Sequence, residues 1–135
     1  MEEKYKILDH RADLKIMAFG KTKEELFLNM LLGMSESQKA EFLSKKTQRR
    51  INLESTDIEA LLVDFLSEAL YQGQVNKEVY KDILFKKLTD TKMEGLLLGQ
   101  KIERFGEEIK AVTYHSLKIK KKEDGSWEAI VLFDI

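Results

Sequence analysis

With 135 residues, 43% of them hydrophobic and spread along the whole length, the chain has the size of one domain and the material for a buried core. Its 23 basic and 24 acidic residues leave a formal net charge of −1, which argues against an electrostatic grip on bare nucleic acid. The lack of cysteine excludes disulfides and thiolate metal sites, no apolar run is long enough to span a bilayer, and the polar start Met1-Glu2-Glu3-Lys4-Tyr5 is not a secretory signal, so a cytoplasmic location is expected.

Tyr5 to Leu8 reads as a short strand that Asp9-His10-Arg11-Ala12 interrupts. Leu14, Ile16 and Ala18 then alternate with Lys15, Met17 and Phe19, the period of a strand, which Gly20 ends. Thr22 and Glu25 have the spacing of a capping box, and Leu26, Phe27, Met30, Leu31 and Met34 follow at helical spacing, predicting a helix from about Lys23 to Ser35. Glu36 to Lys46 is polar and weakly patterned, a loop or ragged helix, and Gln48 to Leu53 reads as a strand. Thr56 and Glu59 repeat the capping-box spacing before the apolar stripe Ile58, Leu61, Leu62, Phe65, Leu66, Ala69 and Leu70, with Gly73 as the stop. Strands are expected over Ile83–Leu88 and Leu96–Ile102, joined by a turn at Asp90–Gly95, with Gly99 marking a bulge. Beyond a looser segment at Phe105–Glu108, Leu117–Lys121 and Trp127–Phe133 flank Glu123-Asp124-Gly125-Ser126, and Asp-Gly between two such runs is a hairpin signal. No repeat or linker divides residues 1–135. The expected fold class is α+β: a single domain with a largely antiparallel β-sheet and two amphipathic helices packed on one face.

Three segments carry chemistry-bearing side chains. Asp9-His10-Arg11-Ala12-Asp13 sets two carboxylates and an imidazole in a turn, but aspartate also favours turns for its own backbone hydrogen bonding, and spacing does not separate a metal or proton-transfer site from that role. Phe133-Asp134-Ile135 ends a strand that is apolar to its last residues; docked in a sheet, it would offer the Asp134 side chain, the Ile135 carbonyl and a free carboxylate, hard oxygens suited to Ca²⁺, Mg²⁺ or Mn²⁺. A solvated acidic end is the plainer alternative. Lys110-Ala111-Val112-Thr113-Tyr114-His115 could contact a phosphate or an acidic partner, or could be edge-strand residues with solvated heads. Of the basic clusters, Lys118-Ile119-Lys120-Lys121-Lys122 reads as the exposed face of a hairpin strand. Lys45-Lys46 with Arg49-Arg50 could touch an RNA backbone, though no aromatic platform accompanies them in the sequence. Gly-rich phosphate loop, nucleophile elbow and His-Glu-x-x-His helix are all missing, so a self-contained enzyme of those classes is not expected.

The ordered set Leu8-Asp9-His10-Arg11-Ala12-Asp13, Gly20-Lys21-Thr22-Lys23-Glu24-Glu25-Leu26-Phe27, Asp57-Ile58-Glu59-Ala60-Leu61-Leu62-Val63 with Leu70-Tyr71, Ile109-Lys110-Ala111-Val112-Thr113-Tyr114-His115 and Val131-Leu132-Phe133-Asp134-Ile135 resembles the archease family essentially end to end. The resemblance implies a protein cofactor and not an enzyme: a metal-binding accessory protein that promotes guanylylation of an RtcB-type tRNA-splicing RNA ligase, restores it for further turnovers and widens its nucleotide use. It implies metal ligands at Asp13, Asp134 and Ile135, a functional lysine at Lys110, and a divalent cation, calcium first with magnesium or manganese as alternatives. The implied partner is the ligase, with tRNA reached through it and neither DNA nor membrane involved. Arg11 stands where the family carries threonine, and its fixed positive charge beside the proposed cation would lower metal affinity. Leu14-Lys15-Ile16 departs from the Ile-Gly-Ile-like sequence usual there. Two other readings are a chaperone or modulator of nucleic-acid-processing proteins and a stand-alone metal-dependent phosphohydrolase.

Overall fold

Helix starts here are set by side chains that accept backbone amide protons. The computed structural model, which describes residues 3–9 and 12–135, has the first helix, α1, at Lys23–Ser37, with the Thr22 hydroxyl accepting from the Glu25 amide at 3.1 Å. Glu25 reaches back in return, to the amide of Lys21 at 3.3 Å. The second helix, α2, covers Ile58–Asn76, and its cap is Asp57, whose carboxylate accepts from the Ala60 amide at 2.8 Å. The cap thus falls one residue after the predicted Thr56. Nor does α2 stop at Gly73: it runs one turn further, and Lys77 ends it in the left-handed conformation (φ 54°) while donating to the Gly73 carbonyl. Glycine is needed at position 73 for contact, because a Cβ there would lie 2.5 Å from the Glu78 carbonyl oxygen.

Seven strands surround these helices: β1 (Tyr5–Asp9), β2 (Asp13–Gly20), β3 (Glu41–Glu54), β4 (Glu78–Leu88), β5 (Lys92–Arg104), β6 (Ala111–Lys121) and β7 (Trp127–Asp134). All pairings are antiparallel. The strands divide between a four-stranded sheet, order β1-β2-β7-β6, and a three-stranded sheet, order β3-β5-β4. The α+β class is as expected, with two antiparallel sheets in place of one. Each helix meets strands of both sheets, α1 chiefly β2 and β4, α2 chiefly β6 and β4. Both therefore bury broad faces, and Phe27 of α1 stacks on Phe65 of α2 with ring centroids 5.7 Å apart.

The core follows strand alternation. Leu14, Ile16 and Ala18 of β2 and Ala129, Val131 and Phe133 of β7 are buried, while the residues between them face outward. Strand β3 begins at Glu41, within the segment whose polar pattern predicts a loop. Glu41 to Lys46 are all exposed, so no buried face writes a period of two into that stretch. Gly99 stays in register with Thr47 and Tyr80, and the irregularity beside it belongs to β4, between Tyr80 and Asp82. Gly125 (φ 88°) makes the β6–β7 turn, as Asp-Gly predicts.

A buried carboxylate ties the smaller sheet together. Glu78 is fully buried; it accepts from Arg49 Nε at 3.0 Å and Nη2 at 2.8 Å, and from the Tyr80 hydroxyl at 2.6 Å, with Lys101 Nζ at 3.0 Å. The Arg49 hydrogen bonds chiefly hold the Glu78 carboxyl down at about 2, against the cost of burial. Burial, then Glu78, pushes the Tyr80 hydroxyl up. No helix among the described residues is long and apolar enough to cross a membrane.

Candidate functional site

The four-stranded sheet brings both ends of the sequence to one place. In the β2–β7 ladder Asp13 is the direct partner of Asp134, followed by Leu14 with Phe133 and Lys15 with Leu132. Leu14 and Phe133 are buried, which fixes this register, because a slip of one residue would turn the whole apolar set to solvent. Directly opposed residues project to the same face, so the two aspartates share the outward side of the sheet end, and both are exposed. Two like charges at such positions repel, and a cation between them removes that cost.

The next strand adds the lysine. Ala111 of β6 pairs with Asp134, and just before it the Lys110 amide donates to the Asp134 carbonyl at 2.7 Å. Ile109 is buried, and its carbonyl accepts from the Gln74 side chain of α2 at 3.0 Å. That anchor carries Lys110, itself exposed, to the sheet end where the aspartates stand. Ile135 follows Asp134 and packs partly buried against the core, so its main-chain oxygen belongs to the same end. The register thus brings Asp13, Asp134, Ile135 and the main chain of Lys110 to one sheet end. Among the described residues no three side chains of the His, Cys, Asp and Glu types group for metal binding. A cation at Asp13 and Asp134 would therefore draw on main-chain oxygen and on ligands from outside the chain. The donors present are hard oxygens, which fit calcium, magnesium or manganese. His10 and Arg11, singled out in the sequence, lie outside the described residues.

The Lys110–His115 segment is divided by a bulge. Thr113 opposes Leu132 and Lys118 opposes Ile130, so four residues of β6 stand against one of β7. Tyr114, at the start of the bulge, donates to Asp64 of α2 at 2.7 Å, and Ser55 donates to the other oxygen of the same carboxylate at 2.5 Å. The Asp64 hydrogen bond, more than burial, pushes the Tyr114 hydroxyl up, keeping it a donor. Tyr114 is therefore engaged with the scaffold, while the Lys110 main chain stays bonded to Asp134. Sequence spacing gives no sign of Asp64, which sits between the buried Val63 and Phe65. The apolar Ile109 just before Lys110 is the one local signal that this lysine is held in place.

The basic clusters also separate. Arg49 is committed to Glu78 on the core side of the smaller sheet, whereas Lys46 and Arg50 are exposed on its other side. Lys118 and Lys120 are exposed on β6, as expected of a hairpin strand.

The profile of the archease protein family matches residues 5–135. Protein archease of Methanosarcina barkeri is 41% identical, the alignment covering 98% of this chain and 97% of that protein. Protein archease of Pyrococcus furiosus is 34% identical over 94% and 95% of the two chains. A crystal structure of a Thermotoga maritima archease, described as a possible chaperone, matches with a TM-score of 0.71 at 26% identity over 96% of each chain. The solution structure of a Methanobacterium thermoautotrophicum protein matches with a TM-score of 0.67 at 28% identity, over 98% of this chain and 99% of that one. Alike in sequence over nearly its whole length and alike in fold, this chain belongs to the archease family.

Proposed function

We propose that the protein is a metal-dependent accessory factor of an RtcB-type RNA ligase: it promotes guanylylation of the ligase, restores it for multiple turnover and widens the nucleotides it uses. The observation that carries this reading is the register that sets Asp13 opposite Asp134 at an exposed sheet end, where the Lys110 amide is bonded to the Asp134 carbonyl. Family membership supplies the ligase context. In this reading the chain performs no covalent step. Its two carboxylates and the Ile135 carbonyl hold a divalent cation, calcium first, and Lys110 offers an ammonium to an anionic group of the ligase or its nucleotide. Few protein ligands leave coordination positions for phosphate or carboxylate oxygens, and the cation would supply positive charge to them. tRNA is reached through the ligase, in the cytoplasm.

The test is a multiple-turnover ligation assay with the cognate ligase. Parent protein should raise turnover and ligase guanylylation; Asp13→Ala and Asp134→Ala, with unchanged circular dichroism, should not, and Lys110→Ala should be weakened with metal binding retained. Equal stimulation by parent and aspartate variants would overturn the reading. The description of the Thermotoga maritima archease as a possible chaperone supports a second reading, a chaperone, with nucleic-acid-processing proteins as the clients expected from the sequence. Binding to several unrelated partners, unaffected by Asp13→Ala, would favour it.

A further inference from the structure

Two surface depressions differ in charge. One, of about 740 Å³ beside Phe19 and Trp127, sets Lys6, Lys21 and Lys122 against Glu3, Glu25 and Asp124, so its charges cancel. The other, of about 530 Å³, crosses the side of the β3-β5-β4 sheet turned away from the helices, and its lining holds Lys46 and Lys81 with no acidic residue. In a chain with slightly more acidic than basic residues, that is a local concentration of positive charge. From this groove we propose that the protein binds single-stranded RNA.

The floor is built by register. Lys46 pairs with Gln100, and Gln100 with Val79; two rows along, Arg50 pairs with Leu96 and Leu96 with Leu84. Lys46, Gln48 and Arg50 are alternate residues of β3, so their side chains stand on one face, opposite to that of Arg49. The row between those of Lys46 and Arg50 is Gln48 with Leu98 and Leu98 with Asp82, so one exposed carboxylate stands on this face among Lys46, Arg50 and Lys81; it accepts from the Ile83 amide at 2.8 Å, and the cations outnumber it. Near the start of β3 the ladder jumps from Phe42 to Lys46, and the Gln100 side chain donates to the Leu43 carbonyl, holding that bulge against the groove. The bulge carries Phe42, 39% exposed, over the central strand until its ring lies 4.4 Å from the Lys81 ammonium on β4.

This supplies the aromatic surface that the linear sequence does not place beside Lys46 and Arg50. Cations along a groove track a phosphate backbone, an exposed ring stacks a base, and the Gln48 amide can meet a base edge or a 2′-hydroxyl. An open antiparallel sheet face suits a single strand, whose bases are free to turn toward it. Binding of a strand rests on this groove alone and would add a direct RNA contact to the one made through the ligase; the choice of RNA over DNA rests on the proposed work beside an RNA ligase.

The experiment is fluorescence anisotropy with a labelled, unstructured single-stranded RNA oligonucleotide and the full chain, without ligase, across a salt series. Saturable binding is expected, weakened about tenfold by Phe42→Ala. Lys46→Gln combined with Lys81→Gln should lower the slope of log affinity against log salt by about 1.4, roughly 0.7 for each lost phosphate contact. Lys118→Gln with Lys120→Gln, on the other sheet, should change neither. These side chains are exposed, and melting curves check that each variant folds. A result with no saturable binding up to about 0.1 mM protein, in the weak non-specific range, would overturn the proposal. So would binding indifferent to both groove variants, equal affinity for a single-stranded DNA oligonucleotide of the same sequence, or displacement by poly-glutamate at equal charge. Because no ligase is present, such a failure leaves the reading of the acidic end standing, and a failed ligation assay leaves this groove standing.

Discussion

Asp13 and Asp134 are direct partners across the β2–β7 ladder, at the same exposed end of the sheet although they lie at opposite ends of the sequence. Opposed like charges cost about 0.2–1 kcal/mol. Asp13→Asn is therefore expected to be more stable than the parent by that amount in EDTA, and to lack the rise in melting temperature that calcium should give the parent. Thermal melts with EDTA and with calcium chloride measure both. A parent that calcium does not stabilise would remove the case for a cation here.

Arg11 precedes Asp13 by two residues, outside the described region. A fixed positive charge two residues away in sequence would oppose the cation proposed at Asp13. Arg11→Thr should tighten calcium binding severalfold by isothermal titration calorimetry, without changing its stoichiometry.

Glu78 predicts an acid limb of stability. Its folded carboxyl lies near 2 against an ordinary 4.5. The folded state keeps it ionised where the unfolded state would take a proton, so its contribution is complete above pH 4.5 and is lost as pH falls toward 2. The size is about 3 kcal/mol from the shift. Glu78→Gln should cost a similar amount at neutral pH, about 3 kcal/mol, by leaving Arg49 and Lys101 without their carboxylate. Urea unfolding at several pH values should show the parent losing stability in acid and Glu78→Gln losing less.

Gly73→Ala sets two effects against each other. Inside a helix alanine is favoured over glycine by about 1 kcal/mol. The added Cβ would sit 2.5 Å from the Glu78 carbonyl, a backbone atom at the start of β4, where overpacking costs about 1–3 kcal/mol. Contact should win, and the variant should melt below the parent.

What was legible in the sequence was what neighbouring residues decide. Thr22 and Glu25 announce α1 because a cap is made within one turn. At α2 the same spacing, Thr56 with Glu59, is off by one residue because Asp57 is also a capping residue and takes the amide. Gly73 imitates a helix stop, yet it serves contact between α2 and β4. Glu41 to Lys46 gives no strand signal, since neither side of it is buried. The site was hidden for a different reason. Nothing local says that Asp13 faces Asp134, which depends on how two distant strands pair; the family resemblance linked them before the register could. The aromatic partner of Lys46 was hidden likewise, because Phe42 meets Lys81 across an intervening strand.

The placement of β7 between β2 and β6 sets a condition on the timing of synthesis. Until residues 127–134 have left the ribosome, the inward side chains of β2 lack the neighbours that bury them, and Asp13 has no opposing carboxylate. A nascent or prematurely terminated chain therefore has neither a closed core at this sheet nor the acidic pair. Metal binding at the sheet end would thus report that translation had passed residue 134.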